Sequence, residues 1–211
     1  MSYQIKEVFY SLQGEGSHTG RPAIFCRFSQ CNLWSGREAD RADAVCQFCD
    51  TDFIGTDGQN GGRFQNAEAL TAHLLSFWPA NTPQTPFVVL TGGEPLLQVD
   101  EALINALHQA HFEIAVETNG TKQPPTGIDW ICVSPKAGAP WLLRHGDELK
   151  LVYPQAGLHP DQIPLSGFSH FYLQPLDDAN REKNLRDAIN YCLQHPTWKL
   201  SLQTHKIMNI D

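Results

Sequence analysis

The chain has 211 residues, the length of a single domain, since domains run to roughly 100–200 residues and barrels somewhat beyond. Apolar residues make up 41% and charged residues 18%, which excludes the low-hydrophobicity composition of a disordered chain and predicts a sizeable core. The formal charge of −8 argues against a surface built to grip nucleic-acid phosphates, and no basic cluster stands out.

Lys6 and Glu7 stand where a signal peptide needs an apolar stretch, and no apolar run approaches bilayer length. A soluble cytoplasmic protein without a membrane partner is expected. The apolar, β-prone runs in chain order are 5–10, 23–28, 86–91, 112–117, 130–134, 149–153, 168–174 and 198–203. Most are short and nearly continuous, which suits parallel strands buried on both faces.

Three helices are predicted between them. Asn66 caps a stretch reaching Phe77, with Glu68 in its first turn, and Asp100 caps one carrying Leu103, Ile104 and Leu107. The third starts near Asp178, places Leu185, Ala188, Ile189 and Cys192 at helical spacing, and ends at His195 before Pro196. The stretch 118–167 is rich in Gly and Pro, so some crossovers are expected to be loops. About six strands alternating with helices predict an α/β fold, an open or partial barrel, with function at the strand C-terminal ends. Residues 55–62 read as one surface loop, and residues 1–211 as one domain.

Cys31, Cys46 and Cys49 form a C-x14-C-x2-C pattern. Three thiolates can hold three irons of a 4Fe-4S cluster and leave the fourth iron open; a structural zinc with a fourth ligand such as His18 is the alternative, and spacing alone leaves both open. Cys26, Cys132 and Cys192 lie among apolar neighbours and read as core. Thr91-Gly92-Gly93-Glu94-Pro95 follows an apolar strand, and its adjacent glycines allow a polar ligand to approach the backbone.

The aromatic-containing Cys46-Gln-Phe-Cys49 together with Gly92-Gly93-Glu94-Pro95 resembles the radical S-adenosylmethionine enzymes. Gln13-Gly14-Glu15-Gly16, Arg27, Cys31-Asn32-Leu33, Glu117-Thr118-Asn119-Gly120, Ser134-Pro135-Lys136, Gln174-Pro175-Leu176-Asp177 and Gln203-Thr204-His205-Lys206 extend the likeness over essentially the whole chain. They are similar to the 7-carboxy-7-deazaguanine synthase family of the queuosine and deazapurine pathway. The first cysteine gap is 14 residues where most of the superfamily has three, a variation found in a subgroup of this family.

The resemblance implies a partial (β/α)6-type barrel with about three main helices, and a carbon-nitrogen lyase whose substrate is 6-carboxy-5,6,7,8-tetrahydropterin. Its reaction takes hydrogen from C6 with a 5′-deoxyadenosyl radical, contracts the ring, expels ammonia and gives 7-carboxy-7-deazaguanine. It implies that Cys31, Cys46 and Cys49 hold the cluster, and that S-adenosylmethionine meets Phe48, Cys49, Asp50, Gly93, Glu117, Ser134, Pro135, Lys136, Gln174, Pro175, Leu176 and Asp177. The substrate would meet Leu12, Gln13, Gly14, Arg27, Thr91, His205 and Asp211, and Mg2+ would bind at Thr51. A reductant such as flavodoxin and a homodimer are further expectations. The alternatives are a glycyl-radical activating enzyme and a zinc-binding interaction module.

Overall fold

The computed structural model describes residues 2–210, so Asp211 lies outside the described residues. All eight predicted strands form, and a ninth joins them: β1 Tyr3–Leu12, β2 Pro22–Phe28, β3 Gly62–Phe64, β4 Phe87–Gly92, β5 Glu113–Thr118, β6 Trp130–Val133, β7 Gly146–Tyr153, β8 Phe168–Pro175 and β9 Trp198–Leu200. They make one sheet in the order β3-β1-β2-β4-β5-β6-β7-β8-β9, which starts and ends on different strands and therefore stays open. From β2 to β9 every neighbouring pair is parallel. This is the α/β architecture of a partial barrel.

Two expectations are corrected at the N-terminal edge. β1 runs antiparallel to both β2 and β3, although its apolar run reads like a parallel strand. Residues 55–62 are not only a surface loop: Gly58 N–H donates to the Lys6 carbonyl at 3.0 Å, Val8 N–H donates to the Gln59 carbonyl at 2.8 Å, and Gly62 opens β3 opposite Ile5. A Cβ on Gly61 would strike the Lys6 carbonyl, so the approach requires glycine there.

The helices are α1 Ala67–Leu75, α2 Glu101–Gln109, α3 Arg181–Gln194 and a short α4 Thr204–Met208. Asn66 caps α1 by accepting Ala69 N–H at 2.9 Å, and Asp100 caps α2 by accepting Leu103 N–H at 3.0 Å, as their residue types predict. Helix α3 begins at Arg181 rather than near Asp178, because Asp178 instead accepts the Asn180 amide at 2.7 Å and the Asn184 side chain at 2.9 Å. Its buried positions are Asn184 and Ala188, whereas Ile189 is exposed, so the apolar stripe read from the sequence is rotated. The crossovers after β5, β6 and β7 carry no α-helix, in line with their Gly and Pro content. No helix among the described residues is long and apolar enough to cross a membrane.

Strand alternation assigns two faces. Ile24, Cys26 and Phe28 of β2, Val88 and Leu90 of β4, and Ile114 and Val116 of β5 pack under Leu70, Leu74, Leu103, Ile104 and Leu107 of α1 and α2. Leu149 and Leu151 of β7 and Phe171 and Leu173 of β8 pack under Ala188 of α3. Each such fully buried aliphatic side chain contributes about 1.5–3 kcal/mol. The opposite face carries Arg27, Thr91, Glu117, Cys132, Lys150 and Gln174, which the register sets in successive strands around one hollow.

Candidate active site

A cavity of about 390 Å³ occupies that hollow, open at the strand C-terminal ends. Residues of β1, β2, β4 to β8 and α4 line it, which requires the sheet to curl around them. Of the residues singled out by the sequence, it brings together Leu12, Gln13, Gly14, Arg27, Cys31, Cys46, Phe48, Cys49, Asp50, Thr51, Thr91, Gly93, Glu117, Ser134, Lys136, Gln174, Pro175, Leu176, Asp177 and His205. Pro135 is the exception among the described residues: it is buried behind the wall, and its carbonyl faces the Gln155 side chain at 3.4 Å.

The three cysteines lie near one another on the lining. Cys31 follows β2, and Cys46 and Cys49 lie in the loop leading towards β3. Cys46 donates a hydrogen bond to Cys49, which pulls the Cys49 thiol below its ordinary range and pushes Cys46 up. Burial raises Cys31, opposed by the Leu33 N–H that reaches its Sγ at 3.4 Å. His18 is not near them. Its ring packs on Phe87 and Trp130 at centroid distances of 5.2 and 4.5 Å, away from the cavity, so the fourth zinc ligand considered above is not supplied. Among the described residues no three His, Cys, Asp or Glu side chains converge to hold a single ion. Three cysteines that line one cavity and lie near enough for their charges to act on one another suit a multi-iron body with one free corner.

The paired glycines at the end of β4, which line the cavity, are also required by packing. A Cβ on Gly92, whose φ is +129°, would strike the Phe28 backbone, and one on Gly93 would strike the Gln30 carbonyl. Gly93 N–H donates to the Phe28 carbonyl at 3.1 Å and Glu94 N–H to the Gln30 carbonyl at 2.9 Å. The glycines therefore let β4 press against the segment that carries Cys31. Glu94, fully buried, then accepts from Leu96 N–H at 3.0 Å, Thr118 Oγ1 at 2.8 Å and Asn119 N–H at 2.8 Å, tying the ends of β4 and β5 together.

The floor is a charged network whose centre, Lys150, the sequence reading missed. Lys150 on β7, with a side chain 5% exposed, donates to Glu15 at 2.5 Å and lies 3.4 Å from Glu117. Glu15 also accepts from Gln174 and Gln203, each at 3.0 Å, and Gln13 donates to Glu117 at 3.0 Å. Burial opposes the charge on Lys150, but Glu117 and Glu15 outweigh it and hold the ammonium well above the ordinary lysine range. Burial likewise pushes Glu15 up, and the charge and hydrogen bond of Lys150 bring it below the ordinary carboxylate range. The signal was present: a lysine inside an apolar strand run must find partners if the strand is buried.

At the mouth, Lys206 of α4 donates to Asp50 and Asp177 at 2.7 Å each, joining the cysteine loop to the end of β8. Gly14 accepts from both the N–H and the hydroxyl of Thr204 at 3.0 Å, and a Cβ on Gly14 would strike the His205 ring. Arg27 is both ion-paired and on the wall: its Nε donates to Glu7 at 2.6 Å. Lys136 donates to the Ser134 carbonyl at 2.8 Å and hydroxyl at 2.6 Å, and burial pulls its ammonium below the ordinary lysine range against the pull of Cys46 and Cys49. Cys132, read from the sequence as core, is buried on β6 but also touches the cavity.

Comparison with known proteins covers the chain from end to end. It is 59% identical over 210 residues to a 7-carboxy-7-deazaguanine synthase of Bradyrhizobium diazoefficiens, 56% identical to one of Bordetella pertussis and 41% identical to one of Bacteroides thetaiotaomicron, each alignment spanning 100% of both chains. The crystal structure of QueE from Escherichia coli superposes with a TM-score of 0.68 at 26% identity, covering 96% of this chain and 94% of that one. No protein-family model matches. With an open, mostly parallel sheet, three cysteines lining its cavity and full-length identity far above the level at which relatives diverge in fold, the chain belongs to the 7-carboxy-7-deazaguanine synthase family.

Proposed function

We propose that residues 1–211 form one radical S-adenosylmethionine core domain that converts 6-carboxy-5,6,7,8-tetrahydropterin into 7-carboxy-7-deazaguanine and ammonia. The observation that supports this most is that one cavity is lined by Cys31, Cys46 and Cys49 together with Gln13, Arg27, Thr91 and His205. Cys31, Cys46 and Cys49 would hold a 4Fe-4S cluster, and Gly93, Ser134, Lys136 and Gln174 to Asp177, which line the same cavity, would hold S-adenosylmethionine. When bound, the cluster and S-adenosylmethionine supply a 5′-deoxyadenosyl radical that takes hydrogen from substrate C6.

The protein's part is binding, orientation and exclusion of water. Arg27 spends its Nε on Glu7, which fixes the guanidinium plane while its terminal nitrogens can take the substrate carboxylate in a charge-assisted pair. Phe48 and the Cys49 and Asp50 backbone offer a flat apolar surface and polar groups for the adenine, and Glu117 offers a carboxylate oxygen towards the ribose. Lys150 keeps Glu15 ionised and so a hydrogen-bond acceptor, and it stands 3.4 Å from the Glu117 carboxylate. Lys206 holds α4 and with it His205 over the mouth.

Thr51 is proposed as the one protein ligand of a Mg2+ ion shared with the substrate. The family resemblance is what points to the Thr51 hydroxyl, which stands between two ion-paired carboxylates, Asp50 with Lys206 at 2.7 Å and Asp52 with Lys6 at 3.0 Å, and would serve a cation that keeps most of its water. The product is read as a precursor for queuosine in tRNA, the reductant as a flavodoxin, the working protein as a homodimer, and its place as the cytoplasm.

The test is chemical reconstitution with iron and sulfide, followed by visible absorption and iron analysis. Wild type is expected to take up four irons per chain, and Cys31→Ser, Cys46→Ser and Cys49→Ser to lose the visible band. A colourless protein that binds one zinc would overturn the assignment. Thr51→Ala is expected to lose the magnesium dependence of turnover, and an unchanged magnesium response would remove Thr51 from the ion.

A further inference from the structure

The segment between Cys31 and Cys46 has no part in the reading above, yet it folds back onto the cysteines. The Leu33 carbonyl accepts the N–H groups of Val45 at 3.0 Å and Cys46 at 3.2 Å, which closes the segment into a loop. Trp34 is 7% exposed and wedged edge-on against Phe53, with ring centroids 5.6 Å apart. A 3-10 turn at Glu38–Asp43 carries Arg41 over the Trp34 ring, its guanidinium carbon 4.0 Å from the ring centroid.

From that seat Arg41 Nη1 donates to the carbonyls of Gln47 at 2.8 Å and Cys49 at 3.1 Å, the loop that carries two of the three cysteines. Its Nε and Nη2 grip the Glu38 carboxylate at 2.8 and 2.6 Å, and the Glu38 side chain is 77% exposed. The cation is thus fixed against the cysteine loop, and its anion lies on the solvent side. Arginine cannot lose its proton, so the charge is permanent.

A cluster held by three thiolates gains one negative charge on reduction, and its potential follows net charge, hydrogen bonding and exposure. A fixed cation on the ligand loop favours the reduced state, and a carboxylate behind it opposes that. We propose that Arg41 and Glu38 form a charge pair, seated on Trp34, that sets the reduction potential of the cluster, Arg41 making it easier to reduce and Glu38 harder. This rests on the assignment of a 4Fe-4S cluster to Cys31, Cys46 and Cys49. Arg41 is a positioning and tuning residue and touches no reacting atom.

The test is a redox titration of the full-length reconstituted protein, monitored by electron paramagnetic resonance of the reduced cluster, in wild type, Arg41→Gln, Arg41→Lys and Glu38→Gln. The expected midpoint is more negative in Arg41→Gln, less negative in Glu38→Gln, and close to wild type in Arg41→Lys, which keeps the charge. A loop merely loosened by loss of the clamp would shift both neutral variants in one direction, and that result, or equal midpoints in all, overturns the inference. If Arg41→Gln takes up no iron, Glu38→Gln carries the test alone, and an unchanged or more negative midpoint overturns it. A wild type that binds no iron and sulfide overturns the cluster assignment itself, and is told apart by metal analysis.

Discussion

Replacing Lys150 by Met removes the ammonium from the cavity floor while keeping the length of the side chain. Glu15 and Glu117, whose side chains are 13% and 26% exposed, would then face each other with no counter-charge. Breaking a buried pair by deleting one partner costs about 3–5 kcal/mol, because the remaining charge keeps its desolvation penalty. For a chain of this size, that corresponds to a fall in Tm of roughly 6–20 °C.

The pH dependence gives the sign. In the wild type Glu15 is held below the ordinary carboxylate range, so its contribution is present above the unfolded value of about 4.3 and is lost as the pH falls through the folded one. In Lys150→Met burial acts without Lys150, the folded pKa of Glu15 rises, and the group stabilises only when protonated, losing that contribution as the pH rises. The deficit is therefore expected to be largest near neutral pH and to shrink towards pH 5. Thermal unfolding followed by far-ultraviolet circular dichroism at both pH values measures it. A fall of less than about 2 °C at neutral pH, or an equal fall at both, would refute the charge network as described.

Further expectations concern the walls and the mouth. Arg27→Ala is expected to raise KM for the pterin by roughly 10–150-fold, the equivalent of about 1.5–3 kcal/mol for a charged hydrogen-bonded contact, with cofactor cleavage retained; loss of cleavage at unchanged substrate affinity would contradict it. Gly93→Ala is expected to cost about 1–3 kcal/mol by urea titration and to reduce iron uptake, since its Cβ meets the Gln30 carbonyl next to Cys31. Lys206→Ala breaks half-exposed pairs and is expected to cost less than about 1 kcal/mol, yet to speed hydrogen exchange in α4, with unchanged exchange counting against the staple.

Much of the fold was legible because its helix-covered face is apolar. The runs ending at Phe28, Thr91, Glu117 and Gln174 each became a strand whose C-terminal end reaches the cavity, and Asn66 and Asp100 capped the helices their types implied. The antiparallel edge was hidden because Glu7 and Arg27 put charge on the inner face of β1 and β2 without interrupting the apolar residues between them. β3 has three residues, too few to give a period.

The site was legible where residues cluster in sequence and less so where the fold assembles them. Cys46 and Cys49 announce themselves by proximity along the chain, whereas Ser134 and Lys136, an ordinary turn by composition, were legible only through the family resemblance. Glu15, Lys150 and Gln203 are brought together across 135 and 188 residues of separation, which only the register of β7 and the return of the C-terminal segment can do. Gly92 and Gly93 were recognised, but their packing against the Phe28 to Cys31 backbone belongs to the β2 and β4 pairing rather than to the turn itself.

The central claim is the ring contraction. Anaerobic incubation of the reconstituted protein with S-adenosylmethionine, dithionite, Mg2+ and 6-carboxy-5,6,7,8-tetrahydropterin, followed by mass analysis, tests it most directly. The account predicts 7-carboxy-7-deazaguanine and ammonia; 5′-deoxyadenosine formed without that product, from a fully loaded preparation, would contradict the substrate assignment.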